Sequence, residues 1–158
     1  MTEWRITIEL PGPPQGKGRP RFSSAQGFVR VYTPAKTRHY EEALRIEALA
    51  AMGRRKPFTG PLMLSVEALF EVPGSWSRRQ FDRAIAGAIM PTGRPDADNI
   101  LKIVGDALNG VCWRDDTMIV TAVIKKRYST ASALVVRIAQ EEISGRLFEP
   151  TADSLLSA

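Results

Sequence analysis

From Arg94 to Val120 the chain reads RPDADNILKIVGDALNGVCWRDDTMIV, and the residue types best suited to chemistry gather there. Four carboxylates, Asp96, Asp98, Asp115 and Asp116, flank a short amphipathic segment that also carries Lys102 and Asp106. Carboxylates that converge on one point repel strongly unless a cation neutralises them. Oxygen ligands without a Cys or His cluster suit a hard ion, Mg²⁺ or Mn²⁺, and not zinc. Lys102 lies at i+4 from Asp98, so its ammonium can reach back toward the same spot. Each part also has a plainer reading: Asp98 as a helix cap, Asp115–Asp116 as a solvated turn, Lys102 as a surface lysine paired with Asp98 or Asp106. The combination favours a metal site more than any member does alone.

The elements that must position these groups are legible around them. Ile100, Leu101, Ile103, Val104, Ala107 and Leu108 recur at helical spacing and give one buried face. With Asp98 at the N-cap position and Pro95 holding Arg94 extended, the helix is expected from about Asn99 and stops at Gly110. Asp96 and Asp98 share a face of the extended entry segment. After the turn VCWRDD, the β-branched run from Thr117 reads as a strand that brings Asp115 and Asp116 in from the other side.

With 158 residues the chain is one domain with room for a real core. Its composition is that of an ordinary globular protein, and no apolar run approaches the ~20 residues needed to span a bilayer. The N-terminal MTEWRITIEL carries charges and alternates like a strand, unlike a signal peptide. A single cysteine, Cys112, suits a cytoplasmic compartment and reads as a buried apolar residue. The net charge of +5 and pI near 9.7 favour a polyanionic partner, against which the acidic cluster stands out.

Along the chain, Thr2 to Leu10 alternates as a half-buried strand. PGPPQGKGRPRF follows as an irregular loop with Lys17, Arg19 and Arg21 in solvent, able to track a phosphate backbone. Gly27 to Tyr32 is a strand, in a hairpin with the residues from Phe22. A helix runs from Thr33 or Pro34 to Met52 and carries His39 on its surface. A strand spans Leu62 to Val72, and a basic helix with Arg78, Arg79 and Arg83 spans Ser77 to Ala88. Thr117–Tyr128 and Ala131–Gln140 read as a hairpin with Lys125, Lys126 and Arg127 at its tip. Periodicity fades after Glu141. The expectation is an α+β domain over residues 1–142, with a mixed β-sheet and about three helices, then a loosely held tail over 143–158.

Taken together, RPDADNILKIVGDALNGVCWRDD closely resembles the RusA family of Holliday junction resolvases, in its phage or prophage branch. The family pattern is Asp-x-Asp-Asn, a lysine four residues after the second Asp, Asp-Ala-Leu, a glycine and a terminal Asp-Asp. Asp96, Asp98, Asn99, Lys102, Asp106-Ala107-Leu108, Gly110 and Asp115-Asp116 supply every piece. PGPPQGKGRPRF and VYTPAKTRHYEEA extend the likeness, which covers roughly the first 140 residues. The resemblance implies a homodimeric, Mg²⁺-dependent endonuclease that resolves four-way DNA junctions by paired symmetric nicks, Mn²⁺ being a possible substitute.

By position it implies Asp96, Asp98 and Asp116 as catalytic metal ligands and Lys102 as the essential lysine. Asp115, Asn99 and Asp106 fall to supporting roles. Lys17, Arg19, Arg21 and Arg94 are the candidate DNA contacts. Two other readings stay open: a nuclease for a different branched DNA, and a junction-binding protein that does not cut. A nucleotide-sugar transferase, suggested by Asp-x-Asp alone, would require a larger nucleotide-binding domain.

Overall fold

A computed structural model describes residues 3–25 and 27–141. Ile6, Ile8 and Leu10 alternate with exposed Thr7 and Glu9, and this pattern makes the first strand, β1 (Ile6–Pro11). The strand begins at Ile6, later than the alternation from Thr2 suggested. A two-stranded ribbon follows, β2 (Arg21–Ala25) with β3 (Phe28–Tyr32), so the hairpin expected from Phe22 to Tyr32 is present. Helix α1 (Ala35–Met52) buries Thr37, Tyr40, Leu44, Ala48 and Met52 along one stripe and is closed by Gly53, at φ 54°. Strand β4 (Leu62–Glu71) buries every second residue, from Leu62 to Ala68.

Helix α2 (Arg78–Ile85) starts at Ser77 with a reciprocal capping box: Gln80 N donates to the Ser77 hydroxyl, and the Gln80 side chain accepts from Ser77 N. Helix α3 (Ala97–Leu108) carries the central motif, and β5 (Ile119–Ser129) and β6 (Ala133–Gln140) complete the chain. The tail expected over 143–158 lies outside the described residues.

The four long strands form a mixed sheet in the order β1-β6-β4-β5. Its register aligns apolar rows: Ile6–Ile138–Leu64, Ile8–Val136–Val66 and Leu10–Leu134–Ala68. These rows join one core with Tyr40, Leu44 and Ala48 of α1 and Ile100, Ile103, Val104 and Leu108 of α3. On the opposite face Glu67 receives Arg137 and, at 3.3 Å, Arg127. The hydrogen bond from Arg137, against some burial, holds the Glu67 carboxyl below the usual range.

The sheet corrects one expectation. β5 and β6 are not a hairpin: β4 lies between them, parallel to β5 and antiparallel to β6. The short link Thr130–Ser132 crosses the end of β4, where Val72 N donates to Ser129 O and Glu71 N to the Ser132 hydroxyl. Lys125, Lys126 and Arg127 therefore lie within strand β5, not at a tip, and Lys126 Nζ donates to Gly93 O at 2.5 Å. A short link between two β-rich runs is equally compatible with direct pairing. The apolar two-faced β6, buried on both sides, wins the central place.

Candidate active site

Helix α3 opens two residues earlier than its sequence suggested. Asp96, not Asp98, holds the N-cap position, and it makes no side-chain cap hydrogen bond. Its carboxylate has Asn99 Nδ2 at 3.5 Å as a neighbour and is otherwise turned to solvent. Asp98 consequently sits within the first helical turn, where the positive end of the helix dipole favours an anion. Asp98, Lys102 and Gly105 follow one another at spacings of four and three, so they share a face of α3. At 1.5 Å per residue, Asp98 and Gly105 are about 10 Å apart along the axis.

Asp116 approaches this face from the other side. After α3 the chain turns at Gly110 and buries Val111, Cys112 and Trp113 in the core. It then enters a 3₁₀ turn, Asp116–Met118. Asp116 Oδ1 accepts a hydrogen bond from Trp113 Nε1 at 2.8 Å. The Oδ2 atom lies 3.3 Å from where a Cβ on Gly105 would stand. The carboxylate is thus laid against α3 one turn beyond Lys102.

Asp115 does something else: its Oδ1 accepts from Thr117 N at 2.9 Å and caps the 3₁₀ turn. That backbone bond, with help from the Thr117 hydroxyl, holds the Asp115 carboxyl below its ordinary pKa. Thr117 and Met118 belong to this turn, so β5 starts later than expected.

The carboxylates do not meet at a single point. Among the described residues, no group of three or more His, Cys, Asp or Glu is placed to hold one ion together. The helical rise separates Asp98 from Asp116, and the Trp113 bond keeps Asp116 at the Gly105 end. The donor chemistry nevertheless fits a hard divalent cation: Asp96, Asp98 and Asp116 are exposed, purely oxygen-bearing and, among the described residues, free of ion pairs. The exposed side chains of Asp96 and Asp98 can rotate toward such an ion, while Asp116 is held by its bond from Trp113. Lys102 is likewise exposed and without an ion pair among the described residues.

The loop between β1 and β2 packs over the start of α3. Lys17 N donates to Asn99 O at 2.9 Å. Gly16 comes so close that a Cβ there would stand 2.9 Å from Asn99 Cβ and 3.0 Å from Pro95 Cβ. Only glycine allows that approach. Lys17, expected to point into solvent, does not: it lines the cleft beside α3, and its ammonium pairs with Glu41 of α1 at 2.5 Å and Asp106 of α3 at 2.7 Å. Burial opposes its charge, but the hydrogen bonds to Asp106 and Glu41 win and raise its pKa above the ordinary lysine value. Lys17→Met should therefore lower unfolding free energy in urea titrations by about 1–2 kcal/mol, because it leaves two carboxylates unpaired. An unchanged midpoint would mean that the clamp contributes nothing to stability.

Between this loop, the start of α1 and the Asp96 end of α3 lies a cleft of about 770 Å³. Arg19, Arg21, Lys36 and Arg94 line it together with Asp96 and Asn99. Three of these cations were anticipated; Lys36 was not, since nothing in its local sequence says that α1 begins beside the motif. Trp113 and Gly105 were also missed as site residues, because their contacts to Asp116 depend on how the chain folds back. Cys112 is fully buried, and burial pushes its thiol up to about 12. His39 is exposed on α1. No helix among the described residues is long and apolar enough to cross a membrane.

Comparison with known proteins shows the family. It is 34% identical over 137 residues to YqaN, an uncharacterized protein of Bacillus subtilis (strain 168), an overlap of 84% of this chain and 94% of that one. The family model described as endodeoxyribonuclease RusA matches residues 11–139, which run from the last residue of β1 almost to the end of β6 and include the cleft and the whole acidic motif. The chain belongs to the RusA family of endodeoxyribonucleases.

Proposed function

We propose that the protein is a divalent-metal-dependent nuclease that resolves four-way DNA junctions by paired symmetric nicks. One observation carries this reading: Asp98 and Lys102 share the face of α3 against which Asp116 is laid, and a basic cleft opens beside Asp96. Carboxylates alone repel DNA. Flanked by a lysine and a cationic cleft, they suit the hydrolysis of a phosphodiester.

Asp96, Asp98 and Asp116 would hold Mg²⁺, with Mn²⁺ as a substitute, on one ion or shared between two. Such an ion supplies Lewis-acid relief of phosphate charge and lowers the pKa of water bound to it. The remaining work falls to the chain itself. Lys102 would stabilise the negative charge that builds on the scissile phosphate. Arg19, Arg21, Lys36 and Arg94 would hold neighbouring phosphates in the cleft, and the net charge of +5 favours that polyanion. Lys17, Asn99 and Asp106 keep the cleft loop against α3, and Asp115 shapes the turn that presents Asp116. A four-way junction has two equivalent strands to cut and each chain holds one such site, so a homodimer is the acting unit, in the cytoplasm.

The test is cleavage of a synthetic four-way junction beside a linear duplex of the same sequence, with Mg²⁺ and with chelator. Paired symmetric nicks confined to the junction, and lost with chelator, are expected. Equal cutting of both substrates would reject junction resolution, and binding without any Mg²⁺-dependent product would reject the nuclease.

A further inference from the structure

We propose that Trp113 and Gly105 are positioning residues that together seat the Asp116 carboxylate. The inference rests on the reading of Asp116 as a metal ligand. It assigns a role to two residues that carry no charge and touch no substrate.

Trp113 is completely buried, and its backbone is held firmly. Gly110 N donates to Trp113 O at 2.7 Å, and bridges join Trp113 to Phe58 and Asn109. A buried indole must find an acceptor for its one polar hydrogen. Here that acceptor is Asp116 Oδ1, at 2.8 Å. The core therefore projects a fixed donor to the rim of the site. Being neutral, the indole orients the carboxylate without cancelling the charge a cation needs.

Gly105 supplies the other wall. It is buried inside α3, a position where glycine is a poor helix former. Its benefit lies in the missing side chain: a Cβ would stand 3.3 Å from Asp116 Oδ2, 3.7 Å from Cγ and 3.8 Å from Oδ1. The carboxylate would have to give way by a few tenths of an ångström. With Oδ1 bonded to the indole and Oδ2 resting over Gly105, rotation of an otherwise exposed aspartate is restricted. Groups that orient a ligating carboxylate in this way support metal affinity without binding the ion themselves.

Two variants separate this role from a merely structural one. Trp113→Phe removes the N–H and keeps an aromatic ring in the core. Gly105→Ala improves helix propensity while crowding Asp116. Both should weaken Mg²⁺ binding, measured by calorimetry with Mg²⁺ alone, by about tenfold. Gly105→Ala should do so with an unchanged or raised thermal midpoint, a split that a packing defect does not produce. In ¹H–¹⁵N spectra the Trp113 indole resonance, assigned by its loss in Trp113→Phe, should move on addition of Mg²⁺ in the wild type. It should be shifted and insensitive to Mg²⁺ in Asp116→Asn.

If Asp116→Asn abolishes Mg²⁺ binding while Trp113→Phe and Gly105→Ala bind normally, the positioning role is overturned and the ligand assignment survives. If Asp116→Asn itself binds Mg²⁺ as the wild type does, the ligand assignment fails and the seat fails with it. Should Trp113→Phe not fold, the Gly105→Ala comparison decides alone.

Discussion

Asp98→Asn is expected to reduce junction cleavage by at least about a thousandfold, equivalent to ~4 kcal/mol of transition-state stabilisation. The substitution is nearly isosteric, so the shape of the first turn of α3 is retained. What is lost is the charge that would hold a divalent ion, and with it the activation of water. Loss of an anion near the helix N-terminus should cost only about 0.3–1 kcal/mol of stability. DNA binding should persist or tighten, because one negative charge facing a polyanion has been removed. Single-turnover cleavage with Mg²⁺ and gel-shift titration in chelator separate the two effects. Cleavage at the wild-type rate would remove Asp98 from the site. Parallel loss of cleavage and binding would point to a damaged helix instead.

Lys102→Met is expected to lower cleavage by about 10²–10³-fold at saturating junction, the scale of removing one group that stabilises developing charge. Methionine keeps the aliphatic stem and a comparable helix propensity, so α3 should stay intact. Because Lys102 is exposed and free of ion pairs among the described residues, no carboxylate is orphaned by its loss. Binding should weaken modestly, and the salt dependence of binding should fall by about one unit if the ammonium contacts a phosphate. The decisive comparison is the maximal rate against the binding constant. A change confined to binding, with the saturated rate intact, would make Lys102 a phosphate anchor with no part in the transition state.

Much of the candidate site's composition was legible before folding was considered. Acidic residues around one amphipathic run are local facts, and the apolar spacing from Ile100 to Leu108 predicts the buried face that α3 presents. The start of α3 was misread by two residues because Asp96 and Asp98 both suit an N-cap, and local sequence does not rank them. The hairpin of β2 and β3 was visible for the same local reason. The pairing of β5 and β6 was not, because β4, some fifty residues away in the chain, inserts between them.

Lys17 shows the same division more sharply. Its surroundings, Pro, Gly and other cations, describe a solvated basic loop, yet Glu41 and Asp106 come to it from two different helices. Sequence by itself determined the chemical inventory: the carboxylates, the lysine one turn beyond Asp98, the basic character of the chain and the helical face that carries the motif. Tertiary structure alone decided which groups meet. It took Lys17 out of solvent, brought Lys36 to the cleft beside Asp96, and aimed the buried Trp113 at Asp116 over the bare surface of Gly105. The reason is physical. Periodicity and capping follow from interactions within a few residues, whereas the partners of a charge or an indole N–H are chosen by packing across the core.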